Sequence, residues 1–351
     1  MKIGLVYNAR PTGYDRTDPA LEKHIEGDEW KTTAATGQAV ESNGHTVEYF
    51  PVDDNIYERL RAGKPHLDLV FNLAEGMSQG LDREAHIPML CEILGIPYTG
   101  PGPLSSALIL NKSRAKEIWR ASGVTTADSQ LFTTPTEILK KSLTFPLIVK
   151  PSSEGSGIGI KSNSIVKNNI ELRKAVTHVI KEYHQAALVE SYLSGREFTV
   201  AIIGNGNSLT VLPIVEINFA GLPKDAPAID SYEAKFVYGA TGVVPMHQTE
   251  FCPAHLTPKL ERQITDLSMR GYTSIGCRDF GRLDIRLDSK DVPHIMEINH
   301  PPGLMSDPNE SSFFTIAGRA AGLSFNQMIG RILNSAIHRL KLSNTGLDDH
   351  K

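Results

Sequence analysis

Apolar and polar positions along this chain switch between the strand period of two and the helical period of 3.6. Residues 3–7, IGLVY, are a continuous apolar run, and Leu67 to Leu73, LDLVFNL, is another. Such runs predict strands of a sheet covered on both faces. Between them Trp30 to Asn43 and Ile56 to Ala62 have helical spacing, with Gly44 and Gly63 as stops, and His45 to Phe50 reads as a further strand. Alternating β and α over residues 1–107 predicts an open, mostly parallel sheet. Ligands of such sheets bind beyond the carboxyl ends of the strands, here Asn8 to Gly13 and Asn72 to Gly80.

Helical spacing resumes at Arg83 to Leu94, Leu104 to Leu110 and Ser113 to Ala121, with Lys112 between the last two. Strand-like segments then dominate: Phe145 to Lys150, Ala187 to Leu193, Arg196 to Ile203 and Ser208 to Asn218. Helices are predicted over Asn169 to Tyr183, Thr257 to Ile275, Phe313 to Ala321 and Ser324 to Leu340. The fold class is α/β with α+β segments.

One stretch organises the rest. Gly281 to Gly303, GRLDIRLDSKDVPHIMEINHPPG, reads as two strands joined by the turn Asp288-Ser289-Lys290-Asp291. In the first, Leu283, Ile285 and Leu287 alternate with Arg282, Asp284 and Arg286. In the second, Ile295, Glu297 and Asn299 alternate with Met296 and Ile298. If the strands pair, Asp284 faces Glu297 and Asn299. Three hard oxygen donors on rigid strands suit Mg²⁺, which keeps waters and takes further ligands from phosphates. Taken alone, the pattern also fits a surface hairpin with solvated charges.

Composition narrows the setting. The 351 residues are enough for two or three domains, and 40% hydrophobic with 22% charged residues is ordinary for a globular protein. A net charge of −4 gives no reason to expect nucleic acid. Cys91, Cys252 and Cys277 show no CxxC or metal-ligand spacing, which fits a reducing, cytoplasmic compartment. No window reaches the length of a membrane span.

Further chemistry gathers around Lys150, which ends an apolar strand directly before Glu154-Gly155-Ser156-Gly157-Ile158-Gly159. Glycines let backbone N–H groups approach a phosphate, although a lone glycine run also makes a plain hairpin tip. No Walker A loop occurs, and the run does not lead from a strand into a helix as a Rossmann fingerprint does. Lys112 and Lys235 are further cations, and Glu190 and Glu197 are acidic groups near strand ends, suited to ribose hydroxyls or to a solvated edge. Singly, each reads as a solvated charge; together with the carboxylate pair they point to a nucleoside triphosphate. Arg282, two residues from Asp284, projects to the same face and suits a transferring phosphoryl group or a salt bridge.

In order, GIPYTGPGPLSSALILNKSRAK, FPLIVKPSSEGSGIGI, ALVESYLSGREFTVAIIGN, YEAKF and GRLDIRLD…PHIMEINHPPGL resemble the ATP-grasp superfamily, and within it the D-alanine–D-alanine ligases. The resemblance implies three domains, 1–107, 108–188 and 189–345, with ATP between the last two. It implies an ATP-dependent ligase that forms an amide through an acyl phosphate. Lys112, Lys150 and Lys235 would contact phosphates, under a mobile loop of Glu154, Gly155, Ser156 and Gly157 to Gly159. Glu190, Ser191 and Leu193 would frame adenine, and Glu197 would take ribose hydroxyls. Asp284, Glu297 and Asn299 would hold two Mg²⁺ ions, or Mn²⁺. Arg282, Lys235, Ser156 and the backbone of Gly303 would surround the reacting centre. A homodimer is a further family expectation.

The chain departs from the family on the amino-acid side. NLAEGMSQGLDREAHIP stands where a His-Gly pair and a GEDG-type run are usual, and YEAKF ends in Phe236 rather than Tyr. Glu75, Arg83, Glu84 and Ser306 stand where amino-acid substrates would be recognised, so the substrate is expected to be an amino acid, a dipeptide or a similar small metabolite. Two other readings are an ATP-binding sensor or subunit without ligase activity, and a kinase that stops at the phosphorylated product.

Overall fold

The computed structural model describes residues 1–10, 27, 29–77, 80–219, 222, 229, 250–310 and 312–342. In chain order the elements are β1 (Lys2–Tyr7), α1 (Trp30–Ser42), β2 (Thr46–Pro51), α2 (Ile56–Gly63), β3 (Leu69–Asn72), α3 (His86–Leu94), α4 (Pro103–Leu110) and α5 (Lys112–Ala121). The middle of the chain gives β4 (Ser129–Phe132), β5 (Leu147–Pro151), β6 (Ile165–Val166), α6 (Asn169–Tyr183), β7 (Ala187–Ser191), β8 (Glu197–Gly204), β9 (Thr210–Val211), β10 (Val215–Ile217) and β11 (Glu250–Phe251). The last part gives α7 (Pro258–Ser274), β12 (Asp279–Leu287), β13 (Pro293–Asn299), α8 (Phe313–Ala320) and α9 (Phe325–Leu340).

These strands form three sheets. β1 pairs in parallel with β2 and β3, in the order β2-β1-β3, as the alternating pattern of the first 107 residues predicts. The second sheet runs β4-β7-β5-β6 and is antiparallel. The third runs β11-β10-β8-β12-β13, with β9 beside β8. β7 keeps its pairing with β4 to Glu190 and with β5 to Ser191.

Four apolar clusters bind the layers. Ile3, Leu5 and Phe71 of the first sheet pack with Phe280 of β12 and with Phe314, Ile329 and Ile332 of α8 and α9, so the end of the chain ties the first sheet to the third. The other face of the first sheet packs on α2 and α3. The opposite face of the third sheet, with Leu283, Ile285 and Leu287, packs on Trp119 of α5 and Ile264 of α7. Helix α6 covers the second sheet through Leu172, Val176 and Val179. Helix ends carry ordinary caps: Asn111, Asn168, Thr257 and Ser324 each accept from a first-turn backbone N–H.

The sequence-derived alternation of the hairpin's second strand needs one correction. β12 and β13 pair Arg282 with Asn299, Leu283 with Ile298 and Asp284 with Glu297, but Ile285 pairs with Ile295. Met296 is an extra residue, a β-bulge. Strict alternation would put Ile295 on the face of Glu297. The bulge reverses the parity, so Ile295 and Ile298 both reach the core under Leu283 and Ile285, while Glu297 and Asn299 stay beside Asp284 and Arg282. Helix α7 comes so close to this strand that a Cβ on Gly271 would lie 2.1 Å from Ile295 Cδ1.

Candidate active site

β12 is the middle strand of the site. On one of its faces Arg282, Asp284 and Arg286 follow one another; on β8 they stand opposite Ala201, Thr199 and Glu197. Asp284 is thus enclosed from both neighbours. Thr199 Oγ1 donates to its Oδ1 at 2.7 Å, Asn299 Nδ2 donates to its Oδ2 at 2.9 Å, and Arg282 bridges both oxygens at 3.2 and 3.0 Å. Arg282 lies under the ring of Phe313, 5.4 Å from its centroid.

Lys112, the first residue of α5, reaches this row from the side. Its ammonium lies 3.3 Å from Glu297 Oε2 and also donates to the carbonyl of Glu154. One side chain therefore links the carboxylate row to the glycine-rich loop. That loop turns through positive φ at Ser156, Gly157 and Gly159. A side chain at Gly159 would meet Pro151 Cγ at 2.4 Å, so glycine is required there on two grounds. Glu154 is held at the loop's base: Arg83 Nη2 donates to Oε2 at 3.1 Å and Gln185 Nε2 to Oε1 at 2.7 Å.

Glu190 was expected near adenine or ribose, or at a solvated edge. It is fully buried, which excludes the solvated edge, and lies between the ammonium groups of Lys116 at 3.2 Å and Lys150 at 3.3 Å. Burial opposes its ionisation, but the two lysines outweigh burial and hold its pKa below the usual carboxylate range. Burial likewise opposes the Lys150 charge, and Glu190, Glu297 and Glu197 outweigh it, raising that pKa. Lys116 differs: its desolvation is the larger effect, and its pKa falls to about 8. It also donates to Thr126 Oγ1 at 2.9 Å, which in turn donates to the Ile295 carbonyl at 2.6 Å. Sequence reading missed Lys116. The signal was its place one turn after Lys112, on the helix face that carries Ala115 and Trp119.

Glu197 is buried and paired with Arg286 Nη1 at 2.7 Å; Arg286 is a second residue that the alternating pattern left without a role. Ser191 N–H is used by the Asp128 carbonyl at 3.0 Å, and Leu193 is buried. The Gly303 carbonyl accepts from Ser312 Oγ, and Ser306 is half-buried nearby in the chain. Lys235 and Phe236 lie outside the described residues.

On the amino-acid side, Glu75 is half-buried, and its N–H donates to Asn8 Oδ1 at 2.7 Å while Asn8 Nδ2 donates to the Gly76 carbonyl at 2.8 Å. Arg83, expected to face a substrate carboxylate, is buried and directs its guanidinium to Glu154 and to the Ser153 carbonyl at 3.2 Å. Glu84 beside it is half-buried. His300 follows Asn299 into the core against Phe280, with ring centroids 4.7 Å apart, and burial lowers its pKa to about 3.

Among the described residues no cluster of three or more His, Cys, Asp or Glu forms a protein-only metal cage. Two carboxylates and one amide side by side, with cations around them, instead fit a hard cation that completes its shell with phosphate oxygens and water.

A family model described as D-ala D-ala ligase C-terminus matches residues 118–334. The chain belongs to the D-alanine–D-alanine ligase family. It is an ATP-dependent ligase of the ATP-grasp fold, and ligases of this kind act on small molecules with ATP and Mg²⁺. The ligase is 32% identical over 293 residues to a D-alanine–D-alanine ligase of Haemophilus influenzae, covering 82% of this chain and 89% of that one. It is 36% identical over 271 residues to protein y4sG of Sinorhizobium fredii, covering 77% and 75%. Its fold matches the D-alanine–D-alanine ligase from Bacillus anthracis complexed with ATP, with a TM-score of 0.71 at 22% identity over 97% of this chain and 99% of that one. It also matches the VanG D-Ala:D-Ser ligase from Enterococcus faecalis, with a TM-score of 0.68 at 21% identity over 95% and 99%. No helix among the described residues is long and apolar enough to cross a membrane.

Proposed function

We propose that this ligase joins a carboxylate to an amine through an acyl phosphate, with an amino acid, a dipeptide or a similar metabolite as substrate. The observation that carries this reading is the row Arg282, Asp284, Glu297 and Asn299 on paired strands, reached by Lys112 from the base of the glycine loop. Cations and a carboxylate pair at one point suit the handling of a triphosphate.

Each residue then has a task. Lys112 and Lys150 hold phosphate oxygens, with Lys235 as a third cation. Glu154, Gly155, Ser156 and Gly157 cover them and exclude water, which matters because an acyl phosphate hydrolyses readily. Glu190, Ser191 and Leu193 frame adenine, with Glu190 also orienting Lys150, and Glu197 receives the ribose hydroxyls. Asp284, Glu297 and Asn299 hold two Mg²⁺ ions, which when bound neutralise the triphosphate charge. The substrate carboxylate attacks the γ-phosphorus and releases ADP. The amine then attacks the acyl carbon, and phosphate leaves after a tetrahedral intermediate whose oxyanion faces Arg282 and the Gly303 backbone. Glu75, Glu84 and Ser306 are the candidates for substrate ammonium and carboxylate groups, and Arg83 joins that region to the loop through Glu154.

The reading extends to a three-domain division after residues 107 and 188, a cytoplasmic location and a homodimer. The test is phosphate release from ATP and Mg²⁺ across D- and L-amino acids, singly and in pairs. Release that requires an amine acceptor supports the ligase. Release with one carboxylate and no amine product points to a kinase-like reaction. Glu297→Ala should lower the rate by roughly 10²–10³ while the fold persists; wild-type turnover by that variant would remove the metal role from Glu297.

A further inference from the structure

Arg286 takes no part in the chemistry assigned above, yet it is built into the nucleotide site. It stands opposite Glu197 in the ladder of β8 and β12. Its Nη1 lies 2.7 Å from Glu197 Oε2, and the two side chains are only 5% and 10% exposed. Two aromatic rings flank the guanidinium, with Cζ 5.2 Å from the centroid of Tyr192 and 5.7 Å from that of Phe219. Nη2 also donates to the Tyr192 hydroxyl at 3.4 Å. Tyr192 follows β7 and Phe219 follows β10, so four separate pieces of chain converge on one cation.

This is more constraint than an ordinary ion pair carries. An exposed arginine–glutamate pair loses most of its strength to side-chain freedom and solvent screening. Here strand register fixes the stem, the rings and the Tyr192 hydroxyl hold the head group, and burial removes the screening. A buried carboxylate with no such partner takes up a proton or turns toward water. Held by Arg286 it keeps one orientation. A carboxylate has about four acceptor positions, so the Arg286 hydrogen bond takes up only part of its capacity. Two adjacent hydroxyls, both donors, match a carboxylate held in one orientation.

We propose that Arg286 is a positioning residue for Glu197: packed against Tyr192 and Phe219, it fixes the carboxylate that receives the ribose hydroxyls and so makes the site select ribonucleotides. The inference rests on the ribose role of Glu197 proposed above. It differs from a purely structural role because it concerns which nucleotide binds, not only whether the protein folds.

The test is calorimetric titration of the full chain, in Mg²⁺ and without amino acid, with ATP and with 2′,3′-dideoxy-ATP. Wild type is expected to bind ATP roughly tenfold or more tightly than the dideoxy nucleotide, the range for hydrogen bonds to a charged group. Glu197→Gln removes this preference. Arg286→Met removes it too, by weakening ATP while leaving the dideoxy nucleotide near its wild-type Kd, and Arg286→Lys restores part of it. If Arg286→Met does not fold by circular dichroism, Arg286→Gln takes its place. A preference lost in Glu197→Gln but fully kept in the neutral Arg286 variants overturns the inference and leaves the ribose assignment standing. A preference kept in Glu197→Gln, or absent from wild type, overturns the ribose assignment and the inference with it.

Discussion

Lys116 and Lys150 share one buried carboxylate, and this triad is the strongest residue-level constraint in the site. Two cations on Glu190 allow Lys150 to turn to a phosphate while Lys116 keeps the carboxylate compensated. Removing Lys116 leaves buried Glu190 with one partner. Lys116→Met is therefore expected to lower folding stability by about 3 kcal/mol, the low end for breaking a buried pair, and to weaken ATP binding. Urea unfolding and nucleotide titration of the variant check both; wild-type values in both would remove Lys116 from the account. The cysteines behave differently. Burial pushes the Cys91 thiol from an ordinary 9.0 up to about 12. A folded pKa above the unfolded one means that between these values the native thiol stays protonated while the unfolded chain ionises, so stability falls as pH rises past about 9. Through this group the protein is expected to be about 1 kcal/mol less stable at pH 10 than at pH 8. Cys91→Ala should show a correspondingly smaller drop in denaturant titrations at the two pH values.

At the scale of elements, the hairpin β12–β13 sets the site, and its bulge at Met296 sets which face each ligand takes. Deleting Ile298 would shift the register beyond the bulge by one residue, turning Asn299 to the core opposite Leu283 and away from Asp284. That variant is expected to lose nearly all turnover, and to lose Mg²⁺-dependent strengthening of ATP binding, by titration with and without the ion. Retained activity would mean that the register does not matter. This is also where reading from sequence reached its limit. The strands, the turn and the acidic pair Asp284 and Glu297 were legible because apolar alternation marks strands directly. The bulge was not, because one extra residue leaves the local composition unchanged and only the partner strand reveals it. Helix α6 was legible from Asn169 to Tyr183, since its cap, length and apolar stripe agree. The two-residue strands β6, β9 and β11 carry too little pattern to be separated from loops. Glu190 looked like an edge residue because its partners Lys116 and Lys150 lie 74 and 40 positions earlier. The pairing of Arg83 with Glu154 was not legible because the two lie 71 positions apart.

At the scale of the molecule, the end of the chain locks the first sheet to the third. Asp279, fully buried, accepts from Arg339 of α9 at 2.9 and 2.6 Å, from Asn205 at 2.8 Å and from the Gly100 N–H at 2.8 Å. Arg339 also donates to the Tyr98 carbonyl at 2.9 Å. Asp279→Asn leaves that guanidinium without its charge partner, and a loss of about 3 kcal/mol in unfolding free energy is expected; a variant as stable as wild type would show the lock to be dispensable. With the sheets fixed this way, the Glu154–Gly159 loop and the β12–β13 row face a common site, where a carboxylate and ATP would react. The central claim is the acyl phosphate. The direct measurement supplies the carboxylate substrate that gives the largest phosphate release, labelled with ¹⁸O in both carboxyl oxygens, together with ATP, Mg²⁺ and the amine. The account predicts one ¹⁸O in each released phosphate, carried from the carboxylate through the P–O bond formed at the γ-phosphorus. Phosphate released without label, alongside an amide product, would contradict it.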